Sequence, residues 1–505
     1  MKKLIIALTL ICLFNQTNAN IYLVTPQQQN IQGALNSCLY GDTVYVDTGY
    51  YYANIIWPKV SNIKLLSLGD SSNTTIDGYG LGSVIKFYFT LNDTAQIDTN
   101  TVIRGFTITN GYYSTTWCEG AGIYLSLSSP KLDGLYITKN SLKGHWVKGA
   151  GLYGYYSNPV IYNSSISENS IDSASYAKGA GVNIEAGTAV FKNVKINNNN
   201  IHISGYNHGG GLFAVHSNLK LINVEISGNI MGANGTYYHG GGVWIGSTDV
   251  KLTNVLIANN IMGENGNFYH GGGIYINNSD TIKRIEFINV TIAENKSLDT
   301  NQLFKGGAIY TNVSDSFFIV NSIIHTEENQ NPLICAVDTL NITYSNIQGG
   351  YPGTGNIDIA SGFVSLSDFH LKTNSPCVNI GTLVNAPNYD LDNNLRPLPV
   401  LSNPDMGCYE VDQTLGISFI KNQDDAIKCF PNPVNDILFI EFDNSQHYSI
   451  ASIEIYNGIG TFVKEVDFKS SESNIYVGDL ENGLYIIKVI TTENKIYTTK
   501  VMVLH

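Results

Sequence analysis

Residues 237–245 read Tyr-Tyr-His-Gly-Gly-Gly-Val-Trp-Ile, and six other stretches of the chain follow the same pattern. In each stretch a ring or apolar residue, a spacer and a charged or histidine residue precede a glycine cluster, which opens a short apolar segment. A repeat of about 30 residues predicts a solenoid in which equivalent residues stack in columns. The first glycines of the seven clusters are Gly120, Gly149, Gly179, Gly209, Gly240, Gly271 and Gly306.

Each of the first six repeats also contains the sequence Ile-x-x-Asn. Asparagine tolerates a left-handed backbone, and stacked amides can hydrogen-bond from one turn of a solenoid to the next. Glycine suits positions with positive φ or a close approach of two backbones. We therefore expect the asparagines at one bend of each turn and the glycines at the opposite bend. The asparagine column comprises Asn140, Asn169, Asn199, Asn229, Asn260 and Asn295.

The segments between these columns favour strands over helices. Their apolar residues recur with a period of two, and residues 231–237 are rich in Gly and Asn, which is typical of a loop. Apolar residues make up 43% of the chain, which argues against disorder. Parallel strands without crossover helices predict an all-β coil filled by columns of Ile, Val and Leu.

The start of the chain has the features of a secretory signal peptide over residues 1–19. Lys2 and Lys3 precede a short apolar stretch, and a small-x-small cleavage site ends at Ala19. That stretch is too short to span a bilayer, and no later stretch is long enough. We therefore expect an exported protein without a transmembrane segment. Residues 31–38 have helical spacing of apolar residues, which predicts a helix that covers the first turn of the coil.

Three segments carry a resemblance to a known fold. Gly-Asp-Thr-Val at 41–44, Gly-Phe-Thr-Ile-Thr-Asn at 105–110 and the asparagine column resemble right-handed parallel β-helix proteins of the pectate-lyase-like superfamily. The repeats are also similar to those of polymorphic outer-membrane proteins, which have Phe where this chain has Ile. The resemblance covers residues 20–375 and implies a right-handed parallel β-helix solenoid. It implies no single activity, because this fold occurs in lyases, hydrolases, adhesins and inert stalks.

Residues 376–410 resemble the closing segment, or choice-of-anchor module, of exported bacterial β-helix proteins. Physically, such a segment would close the open edge at the C-terminal end of the coil. Asp390, Asp392 and Asn394 have a spacing that can hold calcium, and an Asx-turn cluster is the alternative. Cys377 and Cys408 could form a disulfide in an exported protein, and buried free thiols are the alternative.

The C-terminal end of the chain carries a second resemblance. Residues 411–427 are a polar linker, and residues 428–505 read as a small β-sandwich. This module closely resembles the C-terminal sorting domain of the type IX secretion system of Bacteroidetes, which implies that machinery as a partner and export through the periplasm to the outer cell surface or the medium. A β-sandwich carbohydrate module is the alternative, but it would not explain the motifs at the two ends. The residues that carry the resemblance are Pro431, Asn432, Pro433, Asn435, Gly483, Tyr485 and Lys488.

The distribution of charge bears on the partners of the protein. The formal net charge is −13, which argues against nucleic acid. Residues 112–325 contain 13 Lys and Arg and 13 Asp and Glu, so the repeats are neutral and the excess of acid lies elsewhere. We expect an extracellular polysaccharide as the partner of the repeats, because aromatic rings cover sugar faces and polar side chains bind hydroxyl or carboxylate groups.

Two columns beside the glycines are the candidate glycan-binding residues. Rings stacked on one another to hold down the loops are the alternative explanation for the first column. The ring column is Trp117, Trp146, Tyr176, Tyr206, Tyr237 and Phe268, and the polar column is Lys148, Lys178, His208, His239, His270 and Lys305, preceded by Glu119.

Chemistry beyond binding has weaker support in the sequence. Three stacked histidines could bind a metal or act as a base, but no carboxylate recurs beside them, so we expect no metal and no cofactor apart from possible calcium. A glycosidase needs two facing carboxylates, and the acids of the repeats are scattered. We therefore expect a cell-surface or secreted protein that binds polysaccharide or acts as an adhesin or scaffold, with a polysaccharide lyase or glycoside hydrolase as the alternative.

Overall fold

The computed structural model describes residues 19–202, 204–277, 283–299, 304–311, 316–326, 332–335, 340–412, 427–442, 450–458, 460–467, 474–492 and 496–505. The expected signal peptide, up to residue 18, and most of the linker lie outside these residues. The chain divides into two compact units, residues 1–413 and 414–505. The first is a parallel β-helix and the second consists of two small antiparallel sheets, which confirms the predicted fold class.

The predicted helix at the start of the coil is present. It runs from Ile31 to Ser37, and the side chain of Asn30 caps it by accepting a hydrogen bond of 2.9 Å from the backbone N–H of Gly33. Ile31 and Leu35 are buried in the main core. The helix therefore shields the interior of the first turn from water.

Each turn of the coil crosses three parallel sheets in a fixed order. In one representative turn, Lys131–Asp133 and Tyr136–Thr138 lie in sheet 1, Ser141–Lys143 and Trp146–Lys148 in sheet 3, and Leu152–Tyr155 in sheet 2. Register between turns is strict, so that Trp117 pairs with Trp146 and Lys148 with Lys178. Equivalent residues of the repeats therefore stack, as the sequence predicts.

The strands of sheet 1 form the largest face of the coil. They are Ile21–Val24, Thr43–Val46, Gly49–Tyr52, Lys64–Ser67, Thr74–Asp77, Val102–Arg104, Thr107–Thr109, Lys131–Asp133, Tyr136–Thr138, Val160–Ser167, Thr188–Asn197, Asn218–Ser227, Asp249–Ala258, Arg284–Ala293, Ser316–Val320, Ile323–Ile324, Asn341–Thr343 and Asn346–Ile347.

The other two sheets complete the turns. Sheet 2 contains Ile55–Ile56, Ile85–Tyr88, Ile123–Ser126, Leu152–Tyr155, Val182–Glu185, Leu212–Val215, Val243–Gly246, Ile274–Asn277, Ile309–Thr311 and Leu333–Cys335. Sheet 3 contains Tyr112–Ser114, Trp117–Glu119, Ser141–Lys143, Trp146–Lys148, Ser170–Lys178, Asn200–Ile201, Ser204–His208, Ile230–Met231, Tyr237–His239, Ile261–Met262, Phe268–His270, Lys296–Ser297 and Phe304–Lys305.

The segments predicted to be loops contain the short strands of sheet 3 as well as loops, as in Ile230–Met231 and Tyr237–His239 with residues 232–236 between them. They leave the coil and return to it around a small core of their own, which includes Leu142, Val147 and Tyr238. This core is separate from the main core of Ile, Val and Leu between sheets 1 and 2. We call this part of the molecule the side lobe. The Gly-rich and Asn-rich composition reflects its tight bends, and its strands are too short to show a clear alternation.

A neck of asparagine and glycine joins the side lobe to the coil. A Cβ atom added at Gly181 would lie 2.8 Å from Nδ2 of Asn199 and 2.7 Å from the carbonyl oxygen of Gly211. A Cβ atom added at Gly151 would likewise lie 2.9 Å from Nδ2 of Asn169. The expectation that the two columns occupy opposite bends is therefore wrong. They are neighbours, and glycine is required there because the backbone passes directly over the amides.

The buried asparagines form a continuous ladder. Nδ2 of Asn199 donates to the carbonyl oxygen of Ile166 at 2.9 Å and to Oδ1 of Asn229 at 3.0 Å. Oδ1 of Asn199 accepts from the backbone N–H of Asn169 at 3.1 Å and from its Nδ2 at 3.0 Å. The same amide-to-amide bond links each asparagine from Asn140 to Asn295 to the next. The predicted hydrogen bonding from turn to turn is confirmed.

A second asparagine column was not recognised in the sequence. Its residues form the bend within sheet 1 in the left-handed region, with φ between 47° and 56°. Nδ2 of Asn193 donates to Oδ1 of Asn163 at 3.0 Å, and Asn223 and Asn254 continue the ladder. The signal is present, because each of the first five members lies three residues before the Ile of Ile-x-x-Asn. The members are Asn163, Asn193, Asn223, Asn254, Asn289 and Asn321.

The open edge of the coil is covered by residues that precede the closing segment. Residues 353–359 bond to the last strands of sheet 1, through pairs such as the backbone N–H of Ile347 and the carbonyl oxygen of Ile357. The chain then folds back over the outer face of that sheet, where Phe369 and Tyr409 pack on Leu256. The expected placement of residues 376–410 at the edge is corrected accordingly. Outward positions of the late turns are apolar, so they need a cover.

Polar contacts attach the closing segment to the coil. The guanidinium of Arg396, which is completely buried, bonds to Glu410 at 2.8 Å and to Oδ1 of Asn254 at 3.0 Å. Nδ2 of Asn289 donates to the carbonyl oxygen of Asp405 at 3.1 Å. Nδ2 of Asn321 donates to the carbonyl oxygen of Thr382 at 2.7 Å. The last members of the second asparagine column thus hold the segment in place.

Two expectations within the closing segment concern a metal and a disulfide. Asp390 is buried and accepts hydrogen bonds from the backbone N–H groups of Asp392 at 2.9 Å and Asn394 at 2.7 Å, which is an Asx-turn arrangement. Calcium at this loop stays a prediction. Cys377 and Cys408 are free buried thiols in two different apolar clusters, so the structure does not join them.

The second unit has the architecture of a small sandwich. One sheet contains Ile427–Phe430, Ile437–Phe442 and Asn474–Tyr476, and the other contains Ile450–Asn457, Phe462–Asp467, Gly483–Thr491 and Ile496–Val503. Leu438 and Ile475 of the first sheet share one core with Ile453 and Ile487 of the second. Among the residues that the structure describes in the whole chain, no helix is long and apolar enough to cross a membrane.

Candidate functional site

The returning strands of the side lobe pack against sheet 2, and most side chains of sheet 2 along this line are buried. Strand alternation directs Tyr153 away from the main core, yet its side chain is only 3% exposed. Lys148 and Glu185 lie against it. We call this line of contact the front groove. Its walls are the polar column of sheet 3, from Glu119 to Lys305, and the outward column of sheet 2, which is Tyr124, Tyr153, Asn183, Phe213, Trp244, Tyr275 and Tyr310.

The sheet 2 column was missed by the sequence analysis, although the repeats contain it. It is the second residue of the apolar segment after each glycine cluster, as in Val243-Trp244. Period-two alternation assigns this position to the outside of the coil and gives no reason to expect burial there. Burial results from the neighbouring column across the bend, which only the three-dimensional arrangement reveals.

The ring column lies at the rim of the front groove as a continuous stack. Trp146 and Tyr176 are 3.9 Å apart between ring centroids and nearly parallel, and Tyr206 and Tyr237 are 4.8 Å apart. Each inner ring therefore covers the faces of its neighbours and presents its edge to solvent. Trp117, at the end of the stack, is 60% exposed.

The first half of the front groove is charged. Nζ of Lys148 lies 3.3 Å from a carboxylate oxygen of Glu119 and 3.0 Å from one of Glu185. Burial and the neighbouring carboxylates of Glu185 and Glu119 raise the pKa of Tyr153. One ammonium therefore joins two acids that are 66 residues apart in the sequence, which explains why the sequence showed no acidic pair.

Two further lysines of this half face rings. Nζ of Lys178 lies 4.9 Å from the ring centroid of Phe213, and Nζ of Lys86 lies 5.0 Å from that of Tyr124. Burial lowers the pKa of Lys178 from its usual value. Neither lysine forms an ion pair within the described part of the chain. Both offer a positive charge to a ligand in the groove.

The second half of the front groove is neutral. The imidazole of His239 stacks on the ring of Tyr275 at 4.5 Å, and that of His270 stacks on Tyr310 at 4.4 Å. Burial lowers the pKa of His239 to about 3 and that of His270 to about 4, and it lowers the pKa of His208 as well. The three histidines are therefore uncharged near neutral pH.

Two further candidates from the sequence are a metal site and Lys305. In the described residues no group of three or more His, Cys, Asp and Glu side chains has a metal-binding arrangement. Lys305 continues the polar column at its far end, where it pairs with His270 across sheet 3. The structure thus brings the polar column together with aromatic side chains of sheet 2, and the charged groups concentrate near Lys148.

The residues of the sorting motifs secure the last strand of the second unit. Asn432 bonds on both sides, since its Nδ2 donates to the carbonyl oxygen of Lys500 at 3.0 Å and its Oδ1 accepts from the N–H of Met502 at 2.8 Å. Tyr485 is buried and donates to the carbonyl oxygen of Glu481, and Lys488 pairs with Glu454 at 2.8 Å. Asn435 contacts the imidazole of His505 at 2.9 Å. Gly483 pairs with Val503, and Pro431 and Pro433 flank Asn432.

Comparisons with known proteins add to this picture. A region of 81 residues is 36% identical to the ulvan lyase NLR42 of Nonlabens ulvanivorans, and it spans 15% of this chain and 14% of the length of that relative. The crystal structure of the pectate lyase Pel9A aligns with a TM-score of 0.45 and 14% identity, covering 78% of this chain and 97% of that one. Residues 428–504 match the family model of the secretion system C-terminal sorting domain. The second unit is therefore a secretion sorting domain, which implies export to the cell surface or the extracellular space.

Proposed function

We propose that the exported β-helix binds an acidic polysaccharide in the charged half of the front groove. The observation that carries the proposal is the set of three lysines along one wall and floor, of which Lys86 and Lys178 have no ion-pair partner in the described residues. Carboxylate or sulfate groups of a glycan would supply the missing negative charge. Tyr124, which is partly exposed, provides apolar surface beside Lys86.

The ring column has a different part in this proposal. Its inner faces are occupied by neighbouring rings, so they are not available to stack on sugars. Parallel ring stacking stabilises the side lobe, which accounts for the column as packing. The free face of Trp117 is the part of the column that can contact a glycan at the end of the groove.

Substitution of the two unpaired lysines tests the proposal. The double variant Lys86→Gln and Lys178→Gln should bind polygalacturonate about thirtyfold more weakly than the wild type, because each lost charge contributes of the order of 1 kcal/mol. Affinity electrophoresis and calorimetry at two salt concentrations would measure the change, and the salt dependence should also decrease. Lys220→Gln is the matched control, since Lys220 is exposed on sheet 1.

Two results would contradict this assignment. If the double variant binds each acidic polysaccharide as tightly as the wild type does, the binding site lies elsewhere. Failure of the wild type to bind polygalacturonate, alginate or ulvan would leave an adhesin or scaffold role for the β-helix, in keeping with its stacked rings.

A second candidate function rests on the pair of acids that share Lys148. Glu119 and Glu185 lie on either side of one ammonium, and Tyr153 is beside them at 3.5 Å from Glu185. Glycoside hydrolysis uses two carboxyl groups about 5 to 10 Å apart, and Glu119 and Glu185 come together at one ammonium in the charged half of the front groove.

Product analysis distinguishes binding from catalysis. A hydrolase would generate new reducing ends, and a lyase would generate ultraviolet-absorbing unsaturated ends. Glu185→Gln should lower the rate of either reaction at least about a hundredfold. Glu225→Gln is the control, because Glu225 lies on sheet 1 and pairs with Lys195. Stable binding of a polysaccharide without any product would rule out this second candidate for that polysaccharide.

A further inference from the structure

A second groove lies on the other side of the side lobe, between sheet 1 and the outgoing strands of sheet 3. We call it the rear groove. In its first turns it contains an open depression of about 470 Å³. The lining residues are Tyr52, Asp77, Tyr79, Gly80, Asn110 and Lys139, together with their neighbours in sheet 3.

The rings of this depression have free faces, unlike those of the ring column. Tyr52 is 58% exposed and Tyr79 is 69% exposed. Their centroids are 5.5 Å apart, and the ring planes are at 87° to one another. Tyr50 lies 5.2 Å from Tyr52 and is tilted by 59°. Two perpendicular rings form a corner, in which one ring can cover the face of a sugar while the other touches its edge.

A buried carboxylate fixes this corner. Asp77 is 3% exposed and accepts hydrogen bonds from the hydroxyl of Tyr50, from the backbone N–H of Tyr79 at 2.7 Å and from Nδ2 of Asn110 at 2.7 Å. Tyr79 has φ of 55°, a left-handed conformation that is unfavourable for an aromatic residue. The bond to Asp77 holds it there. The side-chain carbonyl of Asn110 remains as an acceptor for a hydroxyl group.

The charges around the depression decide the class of ligand. Lys139 lies 4.0 Å from Glu168, and both side chains are well exposed. Asp77 adds a negative charge beneath the rings. An anionic sugar would therefore meet a carboxylate here and no unpaired cation among the lining residues, whereas a neutral pyranose would meet ring faces and hydroxyl acceptors.

We propose that the depression in the rear groove binds a neutral hexopyranose residue of a polysaccharide. This site is separate from the front groove and does not rest on the function proposed for it. Tyr52 and Tyr79 supply the stacking surface, and the side-chain carbonyl of Asn110 accepts a hydrogen bond from a sugar hydroxyl. Asp77 holds Tyr79 and Asn110 in position from beneath.

Removal of each ring tests the proposal in the full-length protein. Binding of hexasaccharides of β-1,4-linked glucose, galactose and mannose would be measured by saturation-transfer NMR and calorimetry. At least one should bind the wild type, and Tyr52→Ala and Tyr79→Asn should each weaken that binding about tenfold. Asparagine is chosen at residue 79 because it tolerates the left-handed backbone.

Matched controls separate this site from folding and from the front groove. Tyr156→Asn should leave binding within twofold, since Tyr156 is also exposed, at 55%, with φ of 46°. The Lys86→Gln and Lys178→Gln variant should bind the neutral hexasaccharide like the wild type. Circular dichroism would verify that the tyrosine variants are folded.

Three outcomes would overturn the assignment. One is the absence of binding of any neutral hexasaccharide to the wild type. Another is binding that Tyr52→Ala and Tyr79→Asn leave unchanged. The third is that a galacturonate hexamer binds more tightly than the neutral sugars and that Tyr52→Ala and Tyr79→Asn both weaken this binding about tenfold. A change in molar mass of the variants by light scattering, without sugar binding, would instead identify the corner as a contact between copies of the chain.

Discussion

Replacing Asn199 with leucine should lower the free energy of unfolding of the β-helix by about 4 kcal/mol. The volume of the side chain hardly changes, but the backbone N–H of Asn169 loses its acceptor inside the neck. The amides of Asn169 and Asn229 each lose a bond as well. A buried polar group left unpaired costs about 1–3 kcal/mol, and several are affected at once.

Tryptophan fluorescence during urea unfolding would measure this loss. All four tryptophans, Trp57, Trp117, Trp146 and Trp244, belong to the first unit, so the signal reports on the β-helix and not on the sorting domain. Asn218→Leu is the control, since Asn218 is exposed at a strand position of the same repeats, and it should change stability by less than about 0.5 kcal/mol. Equal stability of Asn199→Leu and the wild type would show that the ladder contributes nothing.

The buried histidines of the front groove should lower the stability of the β-helix as the pH falls below 6.5, whereas Asp405, whose pKa burial raises to about 7, should act in the opposite direction. The ordinary histidine pKa of 6.5 falls to about 3 for His239 and about 4 for His270 in the folded state. Between those values and 6.5 these histidines bind more protons in the unfolded chain than in the folded chain, so their contribution to stability falls as the pH falls. One pKa unit corresponds to about 1.4 kcal/mol, and His239 alone should therefore remove about 3 kcal/mol by about pH 4.

A variant without these imidazoles isolates the effect. His239→Gln with His270→Gln should flatten the decline of stability between about pH 6.5 and about pH 4, relative to the wild type. His216→Gln is the control, because His216 is exposed at a bend of the same repeats. Parallel pH curves for the wild type and the double variant would contradict buried neutral histidines in the second half of the front groove.

The local features of the coil could be predicted from the sequence because they repeat. Gly179 and Gly209 have φ of 59° and 62°, as the glycine column predicts, and the buried asparagines bond from turn to turn. Both depend on backbone geometry within one repeat, which sets residue choice directly. The sorting motifs were equally recognisable, since their residues have defined partners: Tyr485 bonds to nearby Glu481, and Asn432 bonds to Lys500 in the last strand.

The arrangement of the columns around the coil was not predictable in the same way. Period-two alternation gives the side of a strand and not the angle between two sheets, so it did not show that Lys148 faces Tyr153 or that Glu185 joins Glu119. The side lobe was read as loops because its strands are short and rich in glycine. The repeats do not predict the rear groove, because Tyr52 and Tyr79 lie in the first turns, outside the regular repeats.

The closing segment has a consequence for the lifetime of the folded protein. Its bonds to the coil join residues far apart in the chain, 61 apart for Asn321 and Thr382 and 142 apart for Asn254 and Arg396. Contacts of such separation have a large loop-closure entropy and form after the coil is assembled. Interactions made that late slow unfolding and have little effect on the folding rate. Outside the cell, where persistence is governed by the unfolding rate, we therefore expect the closing segment, residues 376–410, to prolong the lifetime of the folded β-helix.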